Sequence, residues 1–388
     1  MKKIAKVLRG DGTLSIFSSL IAICAGLLVG LIILLLTDAS RAFPAFFSIL
    51  TFGFRSTRNI GEVLFTATPI ILTGLSVGFA YKTGLFNIGA SGQFTFGAFF
   101  AIWIGVEATF LPPPLRIVAS VLVAMLAGAL WAAIPGLLKA YRNVHEVISC
   151  IMLNWIGIFA VNLLIHETIF DATRNATQRV PAYANMPSWG LGTLFQGSAL
   201  RASSVNSGII FAILAAIIVY IILDKTKFGY ELKACGFNQH AAKYAGISEK
   251  RNIIFSMMIS GALAGLAGAL HLLSGAGVQI NVDGTLAAEG FTGISVALLG
   301  LNNPIGIIFA GILIGYLSLG GNEMQLFGFV PEIIEIVIAV IIYFCAFVLL
   351  IKLFLAKRIK GTHQIDANAE ATPPPDTGGQ TNDQEGGL

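Results

Sequence analysis

Charge is scarce in this 388-residue chain. Only 11% of its residues are charged while 56% are apolar, against roughly a quarter charged in an ordinary soluble domain. That deficit excludes a soluble globular fold. The two-residue alternation of a barrel strand is missing too, which excludes a transmembrane β-barrel. Four scattered cysteines, Cys24, Cys150, Cys235 and Cys345, form neither a metal-ligand spacing nor a disulfide framework. No G-x-x-x-x-G-K-[ST] loop occurs, nor even a Gly-Lys dipeptide, so the chain cannot cradle nucleotide phosphates by that route. There are no paired acids, no His–Glu metal spacing and no nucleophile–base arrangement, so no catalytic residue and no metal ligand is assigned. Basic residues sit at helix ends rather than in a patch, which argues against nucleic acid.

What remains is a succession of long apolar runs. A hydrocarbon core of about 30 Å takes around 20 apolar residues per helical crossing. The runs predict an all-α, polytopic helical bundle with ten crossings, eight to ten by hydropathy alone. They are Leu14–Leu36, Glu62–Ala80, Ile88–Val106, Leu115–Leu138, Val144–Ile165, Ser207–Leu223, Ile253–Leu273, Phe291–Leu301, Ile305–Leu319 and Pro331–Ile351. The eighth is too short to span as a simple helix, and the third opens on Gly and amide residues, so broken or re-entrant segments are expected there. With both termini inside, seventeen of the 24 basic residues fall on inner segments, including every Lys, and the seven outer ones are all Arg. This is the positive-inside asymmetry. The first apolar run is too long for a signal peptide and reads as an uncleaved helix. The domain plan is therefore a cytoplasmic segment 1–13, a membrane domain 14–356 with outer segments 37–61 and 166–206, and a tail 357–388. The polar, Pro- and Gly-rich composition of that tail predicts cytoplasmic disorder.

Small residues recur four apart at Gly26/Gly30, Gly74/Gly78, Gly261/Gly265 and Gly311/Gly315. Such spacing lets helix backbones approach in lipid, and packing inside one bundle is the expected use. Ionisable residues in apolar runs are few. Glu146 and Glu332 lie near helix starts, where a carboxylate suits the dipole, and His271 reads as a satisfied core histidine. No Lys lies in a crossing interior, which disfavours an ion-coupled secondary transporter, the alternative of another class.

Two places could carry function. The first is the basic inner segment Lys225–Arg251. Here Ala234–Asn238 reads as a turn and Gln239–Ala245 as two turns of helix, with Asn238 as N-cap and Gly246 as the stop. Ala241, Ala242 and Ala245 give it a small face, and it reads equally as a docking helix or as a membrane-hugging linker. The second is the start of the third crossing, where Asn87, Ser91 and Gln93 flank Gly89 and Gly92. It reads either as a polar element lining a translocation path or as a packing kink with its amides satisfied by neighbours. Asn154 joins the path candidates from the fifth crossing, and Phe86 supplies an aromatic ring.

The motifs carry a resemblance. Gly236-Phe237-Asn238, Ala241-Ala242 and Gly246-Ile247, followed by the Gly/Ala-rich Ile259–Gly268, resemble the coupling loop and next helix of importer-type ABC transporter permeases. The similarity is to the branched-chain amino acid, ribose and nucleoside group. Gly84-Leu85-Phe86-Asn87-Ile88-Gly89 with Gly92-Gln93, and Glu146–Ser149 with Met152-Leu153-Asn154, resemble nucleoside-type permeases, although Ser91 stands where an acidic residue is expected. The resemblance implies a non-catalytic transport subunit, multi-pass in a bacterial inner membrane. Its partners would be a cytoplasmic ABC ATPase that holds ATP and Mg, a second permease chain, homologous but not identical, and an extracytoplasmic solute-binding lipoprotein. The chain itself would bind no cofactor. It implies ATPase coupling through Gly236, Asn238, Ala241, Ala242 and Gly246, and a path past Phe86, Asn87, Gln93 and Asn154. Nucleosides are the expected solute, with simple sugars and branched-chain amino acids as alternatives.

Overall fold

In lipid the backbone must satisfy its own hydrogen bonds, so each long apolar run closes into a helix. The computed structural model describes residues 11–197 and 202–357. In chain order its helices are α1 Asp11–Thr37, α2 Ala39–Thr51, α3 Thr57–Lys82, α4 Ala90–Glu107, α5 Pro113–Arg142, α6 Glu146–Glu167 and α7 Leu191–Leu194. They continue with α8 Gly208–Lys225, α9 Lys227–Phe237, α10 Gln239–Tyr244, α11 Glu249–Leu272, α12 Ala288–Leu299, α13 Pro304–Asn322 and α14 Pro331–Ala346. Among the described residues eight helices are long and apolar enough to cross a membrane. The expected segment 1–13 and tail 357–388 lie, apart from residues 11–13 and 357, outside the described residues.

Local chemistry sets the ends. Pro113 opens α5 and Pro304 opens α13 at positions whose N–H would have no intrahelical partner. Asn303 Oδ1 accepts from the N–H of Ile305 at 3.0 Å, and Asn143 closes α5 in the left-handed region at φ 50°. Burial then sorts the helices: α3 and α11 are mostly enclosed, while α1 and α14 face outward over most of their surface. The central pair is flanked by α4 and α5 on the α11 side and by α12 and α13 on the α3 side, with α1 against α14 at the margin.

The two expected irregular crossings are helices that start inside the bundle. Residues Gly84–Gly89 are non-helical before the 18-residue α4, and α12 has 12 residues. Ser91 in the first turn of α4 donates to the carbonyl of Ala287 at 2.8 Å, and Thr73, deep within α3, donates to the carbonyl of Glu289 at 2.8 Å. The two helix starts therefore meet beside the middle of α3. Broken helices that begin at mid-bundle are a recurring way to build a transport site.

One correction concerns the connecting segments. The 37–61 segment contains the 13-residue helix α2, capped by Asp38, and a 3-10 turn Phe52–Arg55. The small faces of Ala42 and Ala45 let it lie against the bundle, where Tyr316 donates to the carbonyl of Leu50 at 2.7 Å. Ala234–Phe237, expected to be a turn, is the last turn of α9. The 166–206 segment does pack across the end of the bundle: the strands β1 Phe170–Asp171 and β2 Ala176–Thr177 pair, and Ala176 bridges to Asn281.

All four small-residue ladders face neighbours within the chain: Gly26/Gly30 meet α14, Gly74 and Gly78 meet Val296 and Ile307, Gly311/Gly315 meet α3, and Gly261/Gly265 meet α5. A close contact joins three helices at Gly97, Gly128 and Gly265, where a Cβ on Gly265 would strike the Ala124 carbonyl and crowd Gly128 Cα. Gly265→Val should destabilise the protein by roughly 1–3 kcal/mol, the usual cost of overpacking, seen as a lower melting temperature in detergent. Gly284→Val, with nothing within 4 Å of its added Cβ, should leave that temperature unchanged.

Candidate functional site

A helix that starts inside an apolar bundle exposes N–H groups with no partner. At α4 two asparagines supply them. Asn87 Oδ1 accepts from the N–H of Gly89 at 3.0 Å. Asn154, reaching across from α6, accepts from the N–H of Gly92 at 2.9 Å and donates to the carbonyl of Ile88 at 3.0 Å. Its carboxamide thus stands in for the bond that Gly92 would make to Ile88 in an unbroken helix. Gly92 leaves room for this approach, since a Cβ there would lie 2.8 Å from Asn154 Oδ1.

Asn87 and Gln93 form a reciprocal amide pair. Asn87 Nδ2 donates to Gln93 Oε1 at 2.8 Å, and Gln93 Nε2 donates back to Asn87 Oδ1 at 3.0 Å. Asn87 also donates to Ser260 Oγ on α11 at 2.7 Å, and Ser260 donates to the Ser76 carbonyl on α3 at 2.7 Å. Asn87 is 0%, Gln93 1% and Asn154 2% exposed. The structure brings these three expected path residues together as a closed polar lock that ties α3, α4, α6 and α11. Phe86 is half-buried against Val77, Ala90 and Ala264 beside it. In this conformation the amides face one another rather than an open channel.

The basic segment folds as two short helices. Thr226 Oγ1 caps α9 through the N–H of Gly229 at 3.1 Å. Asn238 Oδ1 caps α10 through the N–H of Ala241 at 3.0 Å, as expected. Gly246, at φ +78°, ends α10, and the N–H of Ile247 returns to the carbonyl of Ala242 at 3.0 Å; this is the Schellman closure that glycine favours. Ala242 turns inward and is buried, while Ala241 and Ala245 remain exposed. Beside them Tyr244 is 95% and Phe237 90% exposed. Reading the small face missed these two rings; exposed aromatics on a short capped helix were the signal available. An open groove of about 430 Å³ runs past Tyr230, Phe237, Asn238 and Ala241.

Gly236 links the two places. A Cβ there would strike the Lys82 carbonyl and the Gly84 nitrogen, and Gly84 itself sits at φ +76°. The end of α9 is thus seated directly on the turn that leads to Asn87. The neighbouring Cys235 is buried, which raises its thiol pKa, and its sulfur accepts from Asn252 on α11 at 3.6 Å. The expected capping residue Glu146 sits in the first turn of α6 and pairs with Lys139 at 3.0 Å, while His145 provides the cap.

At the opposite end of the bundle from α9 and α10, a cavity of about 180 Å³ lies between α4, the end of α11 and the 278–287 segment. It is lined by Thr95, His271, Asn281, Asp283 and Glu289 on its polar side. His271 Nε2 and Glu289 Oε1 are 3.9 Å apart and His271 Nδ1 is buried without a hydrogen-bond partner among the described residues, so His271 is not the satisfied core histidine expected. Glu289 lay outside every expected crossing, and nothing in the spacing marked it.

The chain was compared with known proteins. A family model described as the branched-chain amino acid transport system permease component matches residues 59–346. The guanosine ABC transporter permease protein NupP of Bacillus subtilis is 43% identical over 84% of this chain and 92% of its own length. The nucleoside ABC transporter permease protein NupB of Lactococcus lactis is 39% identical over 92% of this chain and 98% of its own. The glucose ABC transporter permease protein TsgB13 of Haloferax volcanii is 32% identical over 83% of each. Both bacteria also have a second matching permease protein, NupQ at 30% and NupC at 26% identity, over 71% and 66% of this chain. No solved structure matches.

Asn154→Leu should leave the Gly92 N–H and the Ile88 carbonyl unpaired, at about 1–3 kcal/mol per buried group. A lower melting temperature for Asn154→Leu, with a smaller drop for Asn154→Asp, which keeps the acceptor, is the expected result.

Proposed function

Because this chain belongs to the permease family of branched-chain amino acid transport systems, we propose that it is the membrane subunit of an ATP-driven importer of nucleosides. The ATP is hydrolysed by a partner, since the chain has no phosphate loop. The observation that carries the reading is the seating of Gly236 on Gly84. It joins a surface that can dock a partner to the polar lock at the start of α4.

The lysine-rich ends, including α9 and α10, face the cytoplasm, with both termini on that side, as the positive-inside asymmetry requires. The membrane is the bacterial inner membrane, which α1, α3, α5, α6, α8, α11, α13 and α14 cross fully. The helices α4 and α12, which start inside the bundle, bring the helices at membrane depth to ten. An ABC ATPase receives Phe237 and Tyr244 together with the small residues Ala241 and Ala245. Aromatic rings in a partner's pocket are typical anchors of binding energy. When the ATPase closes on ATP, α9 and α10 move as a unit with the Gly84 turn, and Asn87, Gln93 and Ser260 exchange partners. Rearrangement of this lock opens the path past Phe86, Asn87, Gln93 and Asn154. Solute arrives from an extracytoplasmic binding lipoprotein on the arginine-bearing side. The second permease is a homologous, non-identical chain, a reading favoured by the paired relatives in two bacteria. The names of NupP and NupB favour a nucleoside, and that of TsgB13 keeps a simple sugar as the nearest alternative.

The test is to reconstitute the chain with its ATPase, second permease and binding protein, and to measure uptake and ATP hydrolysis. Phe237→Ala with Tyr244→Ala should weaken capture of the ATPase at least tenfold, the loss expected of two interface anchors. Gly236→Val should retain the ATPase but lose most uptake. Wild-type uptake in both variants would sink the coupling assignment.

A further inference from the structure

The cavity beside His271 and Glu289 differs from the lock in one respect: its polar groups are not all spent on one another. Glu289 opens α12, so its backbone is fixed and its carboxylate sits where the helix dipole favours negative charge. Its nearest partner, His271 Nε2, is 3.9 Å away, beyond hydrogen-bond reach. The Nδ1 atom of His271 is buried with no hydrogen-bond partner among the described residues. The imidazole is held in place by Phe65, stacked at 6.2 Å and 22°, and by Phe94 at 6.0 Å. Glu289, with acceptor capacity unused, and His271 thus line a cavity at the end of the bundle remote from α9 and α10.

The surroundings define what fits. Asp283 adds a second carboxylate to the lining, and no Lys or Arg takes part in it. An anionic solute would meet two carboxylates and no fixed cation, so the cavity excludes phosphate esters. A free carboxylate accepts hydrogen bonds only, and its two oxygens suit two adjacent donors. Phe94, Ala98, Ile158 and Leu272 offer an apolar wall opposite. Ala287, also in the lining, accepts from Ser91 at 2.8 Å where the starts of α4 and α12 meet.

We infer that the His271–Glu289 cavity is the permease's own solute subsite, in which Glu289 accepts hydrogen bonds from two adjacent donors of a neutral ring-containing solute. This rests on the nucleoside reading for the solute's identity and on the geometry alone for the site. In a nucleoside the donor pair is either the 2′,3′-diol of the ribose or an N–H edge of the base. The subsite takes solute released by the binding protein and holds it above the closed lock, which makes it a second point of selection after that protein.

The experiment measures uptake by the reconstituted full complex carrying wild-type chain, Glu289→Gln or His271→Gln. The solutes are guanosine, 2′,3′-dideoxyguanosine, which lacks the diol, and inosine, which lacks the 2-amino donor. The same binding protein serves every variant, so its selectivity cancels in the ratios. Glu289→Gln should raise the half-saturation concentration for guanosine about tenfold, as for a hydrogen bond to a charged group. For the analogue lacking the donors that Glu289 reads, the rise should stay below about twofold. Which analogue escapes distinguishes diol from base edge. His271→Gln should raise the guanosine value as well.

Equal losses for all three solutes would mark Glu289 as structural and overturn the proposal, as would unchanged uptake in both variants. Should the wild-type complex take up no nucleoside but carry a neutral sugar, the nucleoside reading falls. The subsite then stands if Glu289→Gln weakens uptake of that sugar and falls if it does not.

Discussion

A helix cannot begin in the middle of a bilayer without satisfying its first N–H groups from elsewhere, because no water is there to take them. In this protein Asn87 and Asn154 do so for α4. Everything that distinguishes the bundle from a set of parallel rods follows from that solution. The interrupted backbone lets α4 and α12 start at the same depth. It requires small residues where Gly92 meets Asn154 and Gly290 meets Ser91. It also gathers amides and hydroxyls from four helices into one buried cluster. A half-satisfied cluster of this kind would cost more than an apolar core, whereas a fully paired one specifies a single arrangement.

Such a cluster also suits a moving part. Its bonds are directional and exchangeable, so it can hold one arrangement firmly and then another, unlike the interdigitated side chains around it. The rest of the molecule places it between two surfaces. Below it, the Gly84 turn bears the end of α9; above it, Ser91 donates to the carbonyl of Ala287 in the cavity lining. The end of α9 and the Gly84 turn meet through backbone contacts rather than through flexible side chains. Glycine at 84 and 236 allows the two backbones to touch.

Particular residues show what was legible beforehand. The N-cap of Asn238 and the stop at Gly246 are local rules of helix ends, and both hold. The weakness of the eighth apolar run and the polar opening of the third pointed to breaks, and the breaks are there. Ala234–Asn238 misled because a Gly beside a Phe and an Asn resembles a turn; in the fold Gly236 serves close approach within a continuing helix. No element was predicted within 37–61; packing on Tyr316 and the 3-10 turn Glu323–Phe327 holds α2 there as a helix.

By itself the sequence determined a polytopic helical bundle, its polarity of charge, the two broken crossings and the capped segment α10. These are properties of composition and of spacing within a few residues, where hydrophobic period and capping chemistry act. Only the tertiary structure decided that Asn87 and Gln93 bond to each other while Asn154 bonds to the backbone of Ile88 and Gly92, that Ala242 turns inward while Phe237 and Tyr244 turn out, and that His271 meets Glu289. Each of those outcomes depends on which helix faces which, and pairs such as Asn87 with Ser260 lie more than 170 positions apart. No local pattern encodes the distance between them. It is set by how closely the glycine-bearing faces of α3, α4, α5 and α11 let the backbones pack.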